Sequence, residues 1–513
     1  MNIKQRLTDF SGKPRNVLYL SFGLGLLIVL THIFFLQDMF RDVGHAYAYC
    51  AREIANGNWG DGFHVKLPVI QLGLAGLLGY CGMAVYPALI LVTGLFYLLT
   101  GWPLYILLKR FMPPLWASWG VLAYMLAPKI IRFGCVGLPE SARTFFIVWG
   151  VLMLALTVER ATLKRIILFA VTLAGLSLSR AEGLIVALAF IGILWIEILR
   201  TADGGAGRRI WRAVWSAGAV FLFTAVLLSP RLYQVWSYCG YPVTDARMVG
   251  VLDPVFNPER AQAFADGERK AVENVPADGI EDDDKKSGVA ERFIDCLEDQ
   301  SRGLYEVYLP FTLLGLILLI MRRAWRREYS YMLLLIGLNF VLFYISVSSY
   351  RYYTVALPLA MVFTVYGGAE VAIWVRKFRL VWVAVVLLAV LAVFQILNGI
   401  DMVFRGEAGR IDRETGEWLT EHRGEFLPAG ESRRLRIYNQ CATVFFWSGG
   451  EAVNPYGTHK VYPENAKGFD LAVVYTDDED MVNRLLNRGD VEKVEHPHSD
   501  VVTVLKYKGG GDK

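Results

Sequence analysis

Cysteine and charge are both scarce in this chain. Of its 513 residues, 6 are cysteine and 19% are charged, which excludes a disulfide-built scaffold and is thin for a soluble surface. No CxxC, HExxH or other metal-ligand spacing occurs, and neither a P-loop nor a Rossmann glycine fingerprint is present. Nucleotide chemistry of those kinds therefore has no foothold. A formal charge of +4 gives nucleic-acid binding no support, and no internal repeat or low-complexity tract suggests a solenoid.

What the chain has in abundance is apolar sequence. Hydrophobic residues make up 55% and mean hydropathy is +0.38, the composition of a polytopic membrane protein. Apolar runs near 17–36, 82–108, 115–131, 141–158, 165–179, 183–199, 211–229, 304–321, 330–348, 353–374 and 380–398 give about eleven expected spans. Lys4, Arg6, Lys13 and Arg15 precede the first run, which reads as an uncleaved signal anchor with its N-terminus in the cytoplasm. The pairs and clusters Lys109/Arg110, Arg160/Lys164/Arg165, Arg200/Arg208/Arg209/Arg212, Arg322/Arg323/Arg326/Arg327 and Arg376/Lys377/Arg379 then all fall inside. Residues 67–80 are too short to cross and read as an interfacial or re-entrant helix. If that segment spanned, the basic clusters would move outside.

This plan gives a cytoplasmic N-terminus (1–16), a transmembrane domain (17–399) with external loops at 37–81 and 230–303, and an external tail (400–513). The tail reads as a small α/β domain, with a helix over 407–422 and strands at 435–439, 443–447, 470–475 and 501–507. Glu281 to Lys286 is a charge run expected to be locally disordered. Cys239 and Cys296 share one expected external loop and are candidates for a disulfide, with unpaired thiols as the alternative.

Carboxylates and guanidiniums at the external ends of the spans are the candidate chemistry. Asp42, directly after the first span, is placed to act as a base toward an acceptor; it serves equally well as a cap for the helix that follows, and Asp38 competes for the role. Glu140 opens a span, where a carboxylate is favoured by the helix end; converging on Asp42, it would orient an acceptor or complete a divalent-metal site. Arg180 and Glu182 sit between two apolar runs with almost no loop to carry them away from the bilayer, so they face a cavity or pair with each other. Arg180 and Arg351, the latter flanked by Tyr350, Tyr352 and Tyr353, offer guanidinium forks to a phosphate. Tyrosines there also suit an interfacial belt, and Arg351 alone could snorkel. His45 and His64 are available to polarise a hydroxyl or hold a metal, without defined ligand spacing.

An Asp followed by Tyr47 and the run AREIANGNW, then an interfacial segment opening with Pro, resembles the membrane glycosyltransferases of the GT-C superfamily. The similarity is to the group containing dolichyl-phosphate-mannose protein mannosyltransferases and the lipid A aminoarabinose transferase. LSRAEGL and YRYYTVALPL resemble further segments of that group, and the resemblance covers about residues 17 to 375. It departs where Val43 replaces the second acid of an Asp-Glu pair, where Tyr47 lies one residue further on, and where KLPV stands for K-P-P.

The resemblance implies an α-helical polytopic GT-C fold with an external C-terminal α/β domain. It also implies inverting transfer of a sugar from a polyprenyl-phosphate donor to an external acceptor, which is a lipid, glycan or protein. Asp42 would then be the base, Glu140 the second acidic position, and Arg180 and Arg351 the phosphate ligands, with Asp38, His45, Tyr47, Glu182 and Tyr352 in support. No nucleotide is needed. A metal requirement, the sugar and the acceptor stay open.

Three other readings compete. A transporter or flippase would show internal repeats, broken helices and charges near span midpoints. A scaffold would tolerate loss of Asp42, Arg180 or Arg351. A lipid-linked oligosaccharide transferase or ligase would need a wide external groove, which the tail could supply. The absence of a retention signal and of Asn-x-Ser/Thr acceptors in the external segments favours a bacterial inner membrane.

Overall fold

The computed structural model describes residues 12–35, 39, 43–248, 289–345, 349–377, 407–427, 431, 433–439, 443–452, 469–476 and 478–508. The expected span at 380–398, the charge run at 281–286, and Asp38, Asp42 and Cys441 lie outside the described residues.

Apolar runs of membrane length become helices: α1 (Pro14–Phe34), then the short α2 (Ala48–Ala55) and α3 (Val69–Tyr80), then α4 (Val85–Lys109) and α5 (Pro114–Met125). There follow α6 (Glu140–Glu159), α7 (Leu163–Ser179), α8 (Gly183–Thr201) and α9 (Ala206–Cys239). Beyond residue 288 come α10 (Val289–Gly303), α11 (Leu309–Met321), α12 (Arg327–Ile345) and α13 (Leu357–Lys377). Among the described residues seven helical segments are long and apolar enough to cross a membrane by length and composition, so this is a multi-pass membrane protein. Helix α7 has 17 residues and α11 only 13, each short of a full crossing.

The run expected at 115–131 breaks in two. Pro128 lacks the amide that would continue α5, and a second short helix, Pro128–Gly134, starts there. Helix α3 has 12 residues, about 18 Å at 1.5 Å per residue against a hydrocarbon core of about 30 Å.

Packing separates a buried centre from a lipid-facing rim. The apolar window of α6 is 72% buried and that of α9 only 33%, with Trp211, Trp215, Phe221, Leu222 and Leu227 of α9 exposed. On α9 the apolar side chains point outward, the inverse of a soluble helix. Helices α11 and α13 touch backbone to backbone. A Cβ added at Gly315 would lie 2.1 Å from the Phe363 carbonyl oxygen, and one at Gly367 would lie 2.2 Å from that of Phe311, so only glycine fits on either side.

The tail forms the expected α/β unit. Helix α14 (Glu407–Glu421) precedes strands β1 (Arg436–Asn439), β2 (Glu451–Ala452) and β3 (Leu471–Tyr475), then α15 (Glu479–Leu486), β4 (Val491–Val494) and β5 (Val502–Tyr507). The sheet order is β2-β1-β3-β5-β4, with β1 parallel to both β2 and β3, and β5 antiparallel to both β3 and β4. Leu471, Val473, Val502 and Val504 pack with Leu419 and Phe426, while Ala472, Val474, Leu505 and Val491 pack with Leu485. Both faces are covered, which is why LAVVY reads as a continuous apolar run rather than an alternation.

Two expectations fail here. Residues 443–447 are not a strand: Val444–Trp447 is one helical turn, which buries Val444 in the tail core and sets Trp447 edge-on to Tyr86 of α4 at 5.9 Å. β-branched and aromatic content signals burial as much as strand geometry. Cys239 and Cys296 are not bridged: Cys239 packs with Val65, Val235 and Val243, while Cys296 is buried on α10.

Candidate functional site

Glu140 is the first residue of α6 and is 2% exposed. Arg180 is the residue at which α7 stops, its backbone extended at φ −163 and ψ 160. Helix α8 begins three residues later. A Cβ on Gly183 would lie 2.0 Å from the Leu176 carbonyl oxygen, so glycine permits a turn tight enough to hold Arg180 and Glu182 at the helix ends. Arg351 lies on the short helix Tyr350–Tyr353 ahead of α13.

These separate elements converge. Glu140 Oε1 accepts from Arg180 Nη1 at 2.9 Å and pairs with Arg351 Nε at 3.1 Å, and Arg180 Nε donates to Glu182 Oε2 at 3.1 Å. The Tyr352 ring lies under both guanidiniums, 4.2 Å from Arg180 and 4.9 Å from Arg351. Tyr47, buried at the end of a π-helical turn (Val43–Tyr47), interacts electrostatically with Arg180 and Arg247. One carboxylate oxygen thus sits between two guanidiniums, a position that an oxygen of a phosphate group suits equally well. A small cavity lined by Tyr97, Tyr124, Phe133, Ser141, Thr144 and Thr354 abuts Glu140, whose Oε2 is buried and accepts no hydrogen bond.

Of the residues singled out from the sequence, Glu140, Arg180, Glu182, Arg351 and Tyr352 are brought together, with Tyr47 in the field of Arg180. Asp42 and Asp38 lie outside the described residues; His45 is described only as backbone in the π-helical turn that begins at Val43. His64 belongs to its own loop, where Nδ1 accepts from the Lys66 amide at 3.3 Å. Burial, and then the nearby Lys66 and Arg231 charges, hold its imidazole below the ordinary histidine value. Among the described residues no group of three or more His, Cys, Asp or Glu could hold a metal ion.

Sequence reasoning passed over several neighbours. Arg247 pairs with Asp245 at 2.6 Å and lies in the field of Arg180. Burial pushes the Arg247 guanidinium down, but Asp245 outweighs it and the net shift is upward. Arg231 donates to the carbonyls of Thr244, Phe63, His64, Val65 and Leu67 at 2.9 to 3.3 Å, fastening the loop before α3 to α9. Lys129 pairs with Glu306 at 3.3 Å. Arg143, one turn after Glu140, is completely buried and donates to Asn339 Oδ1 at 2.8 Å. Arg143 and Asn339 carried a usable signal, since each is polar within a membrane-length apolar run. Arg247 and Asp245 sit in a loop and carried none.

The tail docks against the same face. Arg52 of α2 donates to the Phe446 and Gly450 carbonyls at 3.2 and 2.8 Å, and Arg434 pairs with Glu53 at 2.7 Å.

A multi-pass helical bundle with this charged centre at one end of its helices and an α/β tail docked beside it is a fold shared with two solved proteins. The ArnT of Cupriavidus metallidurans, solved in the apo state and bound to undecaprenyl phosphate, matches with a TM-score of 0.56 at 14% identity; its apo form covers 94% of this chain and 97% of that one. The oligosaccharyltransferase of Archaeoglobus fulgidus, solved with Zn and sulfate, matches with a TM-score of 0.53 at 13% identity over 85% of this chain. This chain spans 62% of that protein's length. No protein-family model matches the chain, and no curated protein matches it in sequence.

Proposed function

We propose that this chain is an integral-membrane glycosyltransferase that moves a sugar from a polyprenyl-phosphate donor to an extracytoplasmic acceptor with inversion. The carrying observation is the convergence of Glu140, Arg180 and Arg351 from three separate elements onto one buried centre. A leaving phosphate needs fixed cations where water is sparse, and two guanidiniums resting on one aromatic face supply them. Asp42, at the end of the first span, takes the acceptor proton as the acceptor attacks the anomeric carbon. Arg180 and Arg351 hold the departing phosphate. Glu140, which spaces the two guanidiniums before the donor arrives, also orients the acceptor. Tyr47, Glu182 and Tyr352 support that arrangement, and Asp38 and His45, neighbours of Asp42 in sequence, are its further candidates for support.

Topology follows the charges. Glu140 and Glu159 bound α6 and stand about 28 Å apart at 1.5 Å per residue. The Glu159 end joins Arg110 and Glu328, and we place it in the cytoplasm; the Glu140 end and the tail domain (400–513) are external, in a bacterial inner membrane. The full-length likeness to ArnT, bound to undecaprenyl phosphate in one structure, supports a polyprenyl-phosphate donor. The likeness to an archaeal oligosaccharyltransferase keeps transfer of a lipid-linked oligosaccharide as the second reading.

The test is sugar release by purified protein and its Asp42→Asn variant from a panel of radiolabelled polyprenyl-phosphate sugars and lipid-linked oligosaccharides. Membrane extract supplies the acceptor, and parallel reactions contain chelator. Acceptor-dependent release that disappears in the variant supports the proposal and identifies the donor; the chelator reads the metal requirement. Intact donors throughout, from folded protein, would turn the reading toward transport or scaffolding.

A further inference from the structure

Most charged groups in the buried centre are matched. Arg180 pairs with Glu140 and Glu182, Arg351 with Glu140, and Arg247 with Asp245. Arg143 is the exception. Its side chain is completely buried, yet among the described residues it has no ion pair; its hydrogen bond goes to a neutral amide, Asn339 Oδ1, and its Nε and Nη1 have no acceptor there. The Phe343 ring covers it at 5.2 Å. The neighbouring cavity, lined by Ile147, Val186, Leu335, Ala356 and Leu359 besides Asn339, offers no anion either.

An isolated buried cation is costly, and mutation usually removes such a group unless something else compensates it. Direct compensation is absent from the described residues, because the carboxylates in whose field Arg143 lies, Glu182 and Glu140, are already paired with Arg180 and Arg351; two carboxylates thus face three guanidiniums. Arg143 lies three residues after Glu140 on the same face of α6 and in the field of Arg180, Glu140 and Glu182. Asn339, which it holds, reaches the Tyr352 carbonyl at 3.5 Å, beside Arg351. The guanidinium is thus linked to the paired arginines through α6 on one side and Asn339 on the other, in a setting that screens its field poorly.

On the reading proposed above, we infer that Arg143 is a positioning residue whose uncompensated charge is matched by the donor's phosphate. It acts through its field, in support of Arg180 and Arg351, without touching the ligand. The phosphodiester of the donor carries one negative charge; when its bond to the anomeric carbon breaks, the bond's electron pair stays on the phosphate oxygen and the phosphate becomes a dianion. A fixed cation gains more from the dianion than from the monoanion, so Arg143 favours bond breaking over simple binding.

The inference makes a paired demand that a structural arginine would not meet. Replacing an arginine that braces helices lowers thermal stability. Replacing an uncompensated one with an apolar side chain of similar length leaves stability unchanged or raises it while function falls. The experiment uses the full chain in detergent, as wild type, Arg143→Met and Arg143→Lys, and measures unfolding temperature, affinity for undecaprenyl phosphate, and kcat and KM with the donor identified above.

Arg143→Met is expected to unfold at or above the wild-type temperature, to bind undecaprenyl phosphate about tenfold more weakly, and to lose more in kcat than it gains in KM. Arg143→Lys, which keeps the charge, recovers most of the affinity. Unchanged affinity in Arg143→Met overturns the inference. So does a lowered unfolding temperature that Arg143→Lys does not restore, since that marks a brace. If wild type itself ignores undecaprenyl phosphate, the donor reading falls and this inference falls with it, whatever the variants do.

Discussion

Glu159 closes α6 in an ion pair with Arg110, which also reaches Glu328 at 3.2 Å; Glu140 opens the same helix in pairs with Arg180 and Arg351 at 2.9 and 3.1 Å. The two ends use the same residue types to different ends. At the Glu159 end the paired side chains of Arg110 and Glu159 are 22% and 37% exposed, so water shares the charges, and the Arg110 carbonyl is further tied by Arg326 at 2.7 Å. At the Glu140 end Arg180 and Glu140 are 7% and 3% exposed, and polar atoms of Glu140, Ser141 and Arg143 have no hydrogen-bond partner. Among the described residues both ends leave a buried polar atom without a partner, Arg110 Nε at one and Glu140 Oε2 at the other, so it is exclusion of water that separates them. A charge cluster left incomplete in the drier setting is poised for a charge that arrives with a ligand.

The sharpest way to break that comparison is to remove the shared cation. Arg180→Met strands Glu182 and leaves Glu140 with Arg351 alone, in a setting where losing one partner costs about 3–5 kcal/mol. It should abolish sugar transfer and lower the unfolding temperature; full activity would show that the centre is not the site. Arg351→Met leaves Glu140 paired to Arg180, so it should weaken undecaprenyl phosphate binding with a smaller loss of stability, about 1–2 kcal/mol.

At the other end, Arg110→Met should lower stability by about 1 kcal/mol, as partly exposed pairs do, and leave kcat within about twofold. A loss of activity there equal to that of Arg351→Met would erase the distinction between the ends. The smallest effect concerns the docked tail. Burial pushes the Glu53 carboxyl up, but hydrogen bonds from Asn58 and Arg434 outweigh it and hold its pKa below the ordinary 4.5. The latch is therefore fully present above that value and is lost as pH falls through the depressed one. Protease protection of the tail should decline in acid in wild type and lose that dependence in Glu53→Gln.

Much of this was legible in the sequence, for reasons that also explain what was not. Membrane-length runs become helices because the bilayer leaves the backbone few alternatives, and Pro128 could have been read as the break it is. Arg180, Glu182 and Arg351 stood out because charge between apolar runs needs a reason. Arg143 carried the same signal but was absorbed into the span it lies in. The strand expected at 443–447 failed because Val444 and Trp447 answer to two different neighbours, the tail core and Tyr86, and one helical turn reaches both. Pairings across the fold, such as Glu140 with Arg351, had no local trace.

The latch on α2 also sets an order of events during synthesis. Glu53 meets Arg434 across 381 residues and Arg52 meets Gly450 across 398, whereas Glu140 and Arg180 are only 40 apart. A ribosome delivers the two members of the inner pair almost together, long before Arg434 exists. Helix α2 must therefore wait for its partner while the chain between Glu53 and Arg434 is made. A polypeptide halted before Arg434 would hold its inner ion pair but not its docked tail.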